Sequence, residues 1–366
     1  MPTRVIMHVD LDYFYAQCEE LVRPNIKGKP LVVCVYSGRT EESGVVSTCN
    51  YEARKYGVRA GISIVRAKKL LETTEATFLP VNRALYELVS ERIMELLKTY
   101  GDSFEKVGID EAYLDVSAST NASFKHAEEV AGRIKQGLLY QEQMTCSVGM
   151  APNKLLAKIA SDQTKPNGLT VVRPEEVKAF LAPLSVGRIP GVGKKIEEKL
   201  SQLKVMTIAD LSTLNATILI ETFGMNLGNY LYLAARGEDD KPVKEREQPT
   251  QFSRIATLKR NTHEITEILP LLYDLATSVT LKLTEKNMTC RSVGVIAILE
   301  DLSIHNKSKI LEFPTSEECV IRQLSKELME EFLHAMPSAV VRRVGVKLSI
   351  LGMATGQADI SQYLDE

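Results

Sequence analysis

The chain has 366 residues, of which 44% are hydrophobic and 25% charged. These are ordinary globular proportions, and they exclude a wholly disordered chain and a disulfide-stapled miniprotein. At about 100–200 residues per domain the length implies about two to four domains. Lys and Arg total 45 against 47 for Asp and Glu, a formal charge of -2, which taken alone argues against a nucleic-acid binder. The 6 cysteines form no C-x-x-C pair and the 5 histidines no H-x-x-x-H pair, so a Cys/His zinc site is not expected and the thiols read as reduced and intracellular. The first twenty residues carry acids early and lack an apolar core, unlike a secretory signal. No apolar run approaches the ~20 residues of a membrane span. A cytoplasmic protein without membrane contact is expected.

In chain order, residues 4–10 read as a short apolar strand ending in an acid, and 31–35 and 44–48 as further strands. Helical spacing follows near 50–56, 63–71 and 82–100. The stretch 104–117 reads as two strands joined by a tight turn at Asp110-Glu111. A helix over 124–142, a strand over 144–150, a helix over 152–163 opened by Pro152 and a strand over 168–172 complete a split βαβ pattern of ferredoxin-like type. Residues 175–236 look purely helical. Residues 237–250 are polar, charged and aperiodic, hence a linker. Residues 251–354 return to mixed α/β, with strands near 253–260, 291–299 and 341–350 and helices near 264–286 and 317–334.

Three acids stand where strands end: Asp10, Asp110 and Glu111. If their strands are neighbours, the carboxylates converge on one surface, and acids so close repel unless a divalent cation joins them. Oxygen ligands select Mg²⁺ or Mn²⁺ over zinc, and a pair of such ions can activate a hydroxyl and stabilise a leaving pyrophosphate. Spacing alone leaves the other reading open, that Asp-Glu is ordinary turn chemistry.

Five segments occur in a fixed order: HVDLDYFYAQCEE (8–20), NYEARKYGVRAGI (50–62), GIDEAYLD (108–115), VGMAPNKLLAKIASDQTKPNG (148–168) and IPGVGKKIEEKL (189–200). The set resembles the Y-family (translesion) DNA polymerases, and within them the archaeal DNA polymerase IV group. The resemblance spans essentially the whole chain. It implies an α/β (α+β) multidomain right hand: a ferredoxin-like palm from 1–13 and 80–174, small fingers over 14–79, a helical thumb with a helix-hairpin-helix over 175–236, a linker over 237–250, an α/β little finger domain over 251–354, and a tail over 355–366.

The resemblance also assigns roles. Asp10, Asp110 and Glu111 would hold two Mg²⁺ ions, for which Mn²⁺ could substitute, with the Leu11 backbone carbonyl as a further ligand. Asp12 matches an acid that is not a ligand, so a local structural role is expected. Tyr15 matches the aromatic steric gate, whose ring leaves no room for a ribose 2′-hydroxyl. Tyr51 and Arg54, on one helix face, match residues that hold the triphosphate, as does Lys165. Ser47 and Thr48 match the cover over the incoming base, and their small side chains suit bulky template lesions. In IPGVGKKI, Gly191 and Gly193 would leave backbone N–H groups and a helix N-terminus free for a DNA phosphate, with Lys194 and Lys195 adding charge. In the little finger, Arg254, Arg260, Arg342 and Arg343 are candidate DNA contacts, beside Lys259, Arg291 and Lys347. The implied partners are primer–template DNA, deoxynucleoside triphosphates and a sliding clamp, for a monomer that synthesises error-prone DNA across lesions with no proofreading exonuclease. Other palm-type nucleotidyl transferases, such as a cyclase or a dCMP transferase, and a non-catalytic clamp-bound scaffold are the alternatives. The helical hairpin and the extra α/β domain favour a DNA substrate.

The tail, with Gln357, Ile360, Tyr363 and Leu364, resembles a PCNA-type clamp peptide: a Gln, an aliphatic residue three on, then an aromatic pair whose second member is here Leu. One short turn would set Ile360 and Tyr363 on one face as apolar plugs. Deleting residues 356–366 is expected to abolish clamp-stimulated synthesis and spare basal synthesis. Equal stimulation of the truncated protein in a primer-extension assay would refute the assignment.

Overall fold

The structure, a computed structural model, describes residues 4–245 and 249–354. The chain forms two compact units. The first contains the chain up to Cys34, Val46–Ile62 and the chain from Arg66 into the linker; the second contains Val35–Val45, Ser63–Val65 and the residues after the linker. No helix among the described residues is long and apolar enough to cross a membrane.

Along the chain come β1 (Ile6–Leu11), α1 (Phe14–Val22), β2 (Leu31–Tyr36), β3 (Gly44–Cys49), α2 (Tyr51–Lys55), α3 (Ile64–Leu70) and β4 (Thr77–Pro80). β2 is the middle strand of a small sheet of order β3-β2-β4. Then come α4 (Arg83–Lys98), β5 (Ser103–Lys106), β6 (Glu111–Asp115), α5 (Phe124–Glu142), β7 (Cys146–Ala151), α6 (Lys154–Ser161) and β8 (Leu169–Val171). Their sheet has the order β5-β6-β1-β7-β8. The first four strands reproduce the expected ferredoxin-like order, and β1 is antiparallel to both its neighbours. Strand alternation sorts the residues of β1. Met7, Val9 and Leu11 join the core under α4 and α5, which contains Tyr86, Ile93, Leu97, Ile134 and Leu138. Ile6 enters a second core with Leu155, Leu156, Ile159 and Ala160 of α6, and His8 and Asp10 share its face.

The second core continues into the helical region: α7 (Val177–Leu181), α8 (Lys194–Gln202), α9 (Ile208–Thr213), α10 (Ala216–Phe223) and α11 (Met225–Ala234). It buries Leu181, Val192, Leu200, Leu211, Leu219 and Leu231. In the second unit, β9 (Gln251–Thr262), α12 (Ile265–Glu285), β10 (Met288–Leu299), β11 (Ile304–Thr315), α13 (Glu318–Ala335) and β12 (Val341–Met353) form an antiparallel sheet of order β11-β10-β12-β9. Its two helices cover one face, over Val293, Val295, Val344, Val346 and Leu348.

Several local expectations change. Glu111 is the first residue of β6 rather than part of the turn, which runs from Val107 to Asp110. α6 starts at Lys154, and its cap is Asn153, whose side chain accepts from the Leu156 N–H at 2.9 Å. Such a cap is worth about 1 kcal/mol, and Pro152 lies outside the helix. α1, β4 and β11 were not expected. β11 is an edge strand, mostly exposed along its length, so it lacks the apolar alternation that marks a half-buried strand. β4 is only 4 residues long.

Gly149 of β7 faces α6 so closely that an added methyl would overlap the Ala157 carbonyl and the Ser161 backbone nitrogen. Both are backbone atoms and cannot turn aside. Gly149→Ala is expected to cost about 1–3 kcal/mol in denaturant unfolding; an unchanged midpoint would show that α6 can lift away.

Candidate active site

Register brings the carboxylates together. Asp10 of β1 stands directly opposite Glu111 of β6, and the Leu11 N–H donates to the Asp110 carbonyl at 2.9 Å. The sheet therefore delivers all three acids to one place. Potential ligand atoms of His8, Asp10 and Glu111 all lie within 4.8 Å of one another. Burial raises the pKa of Asp10, opposed by the nearby Lys165 ammonium. Burial and then the neighbouring Glu111 charge raise that of Asp110. Glu111 is held down to about 2, first by its hydrogen bond with His8, with Lys158 adding to it. The acids are compensated by bases on or after α6: Lys158 pairs with Glu111, and Lys165 Nζ lies 2.7 Å from Asp10 Oδ1 and 2.8 Å from Asp162 Oδ1. Of that cluster, Asp10 and Glu111 offer partly exposed carboxylate oxygens, which suit a hard divalent cation, while His8 is buried against Ser161 and Glu111.

His8, Lys158 and Ser161 were not singled out from the sequence. His8 is fully buried. Its Nδ1 lies 2.8 Å from Ser161 Oγ and its Nε2 3.3 Å from Glu111 Oε2, so it orients the carboxylate from behind. The available signal was strand alternation: His8 lies two residues before Asp10 and must share its face. Lys158 and Ser161 are three apart on α6, hence on one helix face.

Around the acids stand the candidate nucleotide groups. Tyr15, on the first turn of α1, stacks on Tyr86 of α4 with ring centroids 4.3 Å apart and planes at 17°. The buried Tyr86 hydroxyl donates to Glu19 Oε1 at 2.6 Å, which fixes the ring beneath Tyr15. Burial raises the pKa of Tyr15 and of Tyr51, with the Asp110 charge adding to the first and Asp10 to the second. The Arg54 guanidinium lies 4.5 Å from the Tyr51 ring centroid, and its Nε donates to the Cys49 carbonyl at 3.2 Å. Ser47 and Thr48 are half-buried on β3, a strand pinned at Val46 by hydrogen bonds with Gly61 and Ile62. Asp12 is buried. It accepts from Ser147 Oγ at 2.7 Å and from the Asn167 N–H at 2.8 Å, and so anchors the turn that carries Lys165.

The chain matches the model of the impB/mucB/samB family over residues 9–162 and that of the family's C-terminal domain over 249–362. Residues 187–239 match a DNA polymerase-iota thumb domain. It is 43% identical over 99% of its length to all of the DNA polymerase IV of Nitrosopumilus maritimus. It is likewise 43% identical over 99% of its length to all of that of Methanosarcina acetivorans. A solved Y-family DNA polymerase chimera of Dbh and Dpo4 superposes with a TM-score of 0.89 at 40% identity, covering 95% of this chain and 99% of that one. The chain belongs to the Y family of DNA polymerases. An insertion ternary complex of Dbh DNA polymerase superposes with a TM-score of 0.68 at 40% identity, over 95% of this chain and 99% of that one.

The helical region carries an exposed hairpin before α8. Gly191 has a φ of 86°, a left-handed value that favours glycine, and Gly193 is the cap residue of α8 without a side-chain cap. Gly193, Lys194 and Lys195 are exposed, while Val192 between the glycines is buried as a plug. The Tyr230 hydroxyl donates to the Pro190 carbonyl at 2.6 Å and holds the hairpin to α11.

The little-finger arginines do not share a face. Arg343 and Lys347 alternate with Val344, Val346 and Leu348 and so lie on the open side of their sheet. Arg254, opposite Val346, lies on the side of the helices. Arg260, on β9, forks onto Glu267 of α12. Arg342 and Arg291 are half-buried and exposed respectively. Gln357, Ile360, Tyr363 and Leu364 lie outside the described residues.

Asp12→Ala would leave both the Ser147 hydroxyl and the Asn167 N–H without their acceptor. We expect a stability loss of about 1–3 kcal/mol and, in primer extension, a larger rise in nucleotide KM than fall in kcat. A wild-type KM would separate Asp12 from the placement of Lys165.

Proposed function

We propose that this chain carries out error-prone, template-directed DNA synthesis across lesions. It extends a primer 3′ end with deoxynucleoside triphosphates, uses two Mg²⁺ ions (Mn²⁺ substituting), and lacks a proofreading exonuclease. It is a DNA-directed DNA polymerase, given its full-length relatives named DNA polymerase IV. The observation that carries the finer reading is the convergence of Asp10, Asp110 and Glu111, with Tyr15, Tyr51 and Lys165 around them.

In this reading Asp10, Asp110, Glu111 and the Leu11 carbonyl hold the cations, which supply Lewis-acid activation of the primer hydroxyl and charge neutralisation at the leaving pyrophosphate. Every other task falls to side chains. Arg54 presents a fork to phosphate oxygens, Tyr51 offers its hydroxyl, and Lys165 adds a point charge. Burial raises the Tyr51 pKa, which keeps that hydroxyl a donor. Tyr15, braced from below by Tyr86, stands against the sugar and excludes a 2′-hydroxyl. Ser47 and Thr48 leave room over the base pair, which favours distorted templates at the expense of discrimination. The hairpin at Gly191 and Gly193 grips a DNA phosphate without reading sequence, and Arg343 with Lys347 offers a second basic surface. The 1–13 and 80–174 palm, 14–79 fingers, 175–236 thumb and 251–354 little finger are then the working parts of a cytoplasmic monomer, with the tail engaging a sliding clamp.

The net charge of -2 fits this reading, because a bound cation offsets the catalytic acids and the tail, with three acids and no base, faces a clamp. DNA binding is then weak and salt-sensitive. Primer extension tests the proposal. Asp110→Ala is expected to reduce extension to background, and Tyr15→Ala to keep extension while admitting ribonucleotides. Metal-dependent extension by Asp110→Ala at the wild-type rate would overturn the assignment.

A further inference from the structure

Asp10, one of the acids proposed to hold the cations, is already compensated. Lys165 Nζ lies 2.7 Å from Asp10 Oδ1, and the lysine is 24% and the aspartate 16% exposed. The contact is partly shielded from water, so it is stronger than a surface pair. Three features keep the lysine there. Asp162 provides a second carboxylate at 2.8 Å. The turn carrying Lys165 is fixed from below by Asp12 on the Asn167 N–H. Lys135 Nζ donates to the Asn167 and Gly168 carbonyls, at 2.6 and 2.9 Å. Asp10 and Asp162 together give the Lys165 ammonium two carboxylate partners.

A divalent cation on the Asp10 carboxylate would meet the Lys165 ammonium only 2.7 Å from Oδ1, and like charges that close repel. The pairing therefore costs a cation the loss of an existing ion pair. A triphosphate changes this balance, because its oxygens offer Lys165 a more highly charged partner than Asp10 does. We propose that Lys165 is a resident counter-ion of Asp10, which competes with the divalent cation until an incoming nucleoside triphosphate draws it away, so that metal loading is coupled to nucleotide arrival. This rests on the assignment of Asp10 to the metal and Lys165 to the phosphates. It adds that the two ligands help each other through one side chain with two alternative partners. By linkage the help is reciprocal. Without nucleotide, the pairing keeps the acids compensated and the sheet ends free of mutual repulsion.

The test is Mn²⁺ binding to the full-length protein, read from the loss of the free-Mn²⁺ electron paramagnetic resonance signal, with and without a non-hydrolysable dNTP analogue. Wild type is expected to bind Mn²⁺ weakly alone and more tightly with the analogue. Lys165→Met is expected to bind Mn²⁺ alone about tenfold more tightly than wild type, and to gain less from the analogue. Damage to the fold would weaken binding, so a gain cannot be a structural artefact. Lys165→Arg, which keeps the charge, should stay close to wild type. A second readout is melting temperature. Lys165→Met should melt lower than wild type in EDTA and recover with Mn²⁺. Equal Mn²⁺ affinity of wild type and Lys165→Met, with the gain from nucleotide intact, would overturn the competition while leaving the metal assignment standing. Mn²⁺ binding unaffected by Asp10→Asn would instead sink the metal assignment itself.

Discussion

The antiparallel pairing of β1 between β6 and β7 is the constraint on which the remaining structure depends. Its register sets Asp10 opposite Glu111 and ties the Leu11 N–H to the Asp110 carbonyl. A one-residue slip would turn Asp10 into the apolar core beneath α4 and α5, and Met7 and Val9 out of it. The hydrophobic alternation that stabilises the sheet is therefore the same device that aims the acids. Concentrated negative charge follows, and much of the local chemistry answers it: His8 and Lys158 at Glu111, Lys165 at Asp10.

α6 supplies most of that answer. It is short, amphipathic and packed so closely on β7 that Gly149 has no room for a side chain. Its buried Leu155, Leu156, Ile159 and Ala160 secure it to the sheet, while Lys158 and Ser161 lie toward β1. The turn after it carries Lys165, and Asp12, a neighbour of the metal candidates in sequence, serves that turn instead. Two acids two residues apart in HVDLD thus do different work. Asp10 stands at the partly exposed end of the sheet, and Asp12 is buried among donors that need an acceptor.

Tyr15 shows the same economy of support. Tyr15 gains its position from the stack on Tyr86, and Tyr86 from a buried hydrogen bond to Glu19 on the same helix as Tyr15. α1, Tyr15 and Tyr86 form a closed loop of contacts, so the Tyr15 ring is held in place by more than its own rotamer preference. Phe14 faces the core, and Tyr13 packs at the core's edge against Tyr51.

The sequence by itself determined the family, the ferredoxin-like order and the identity of the central acids, because motif spacing and strand alternation are local properties that survive without coordinates. It also marked Asp12 as different from Asp10. It did not reveal His8, Lys158 or Ser161, whose importance arises from approach across strands and helix rather than from any motif. It mistook Pro152 for the start of α6, since a proline is permissive at a helix start but an Asn side chain that accepts an N–H decides it. β11 escaped notice because an exposed edge strand carries no apolar period. The facing of Arg254, Arg260 and Arg343 was likewise decided only by tertiary structure: sheet register and the bulges within it determine which side a residue takes, and a list of basic residues along a strand does not contain that information.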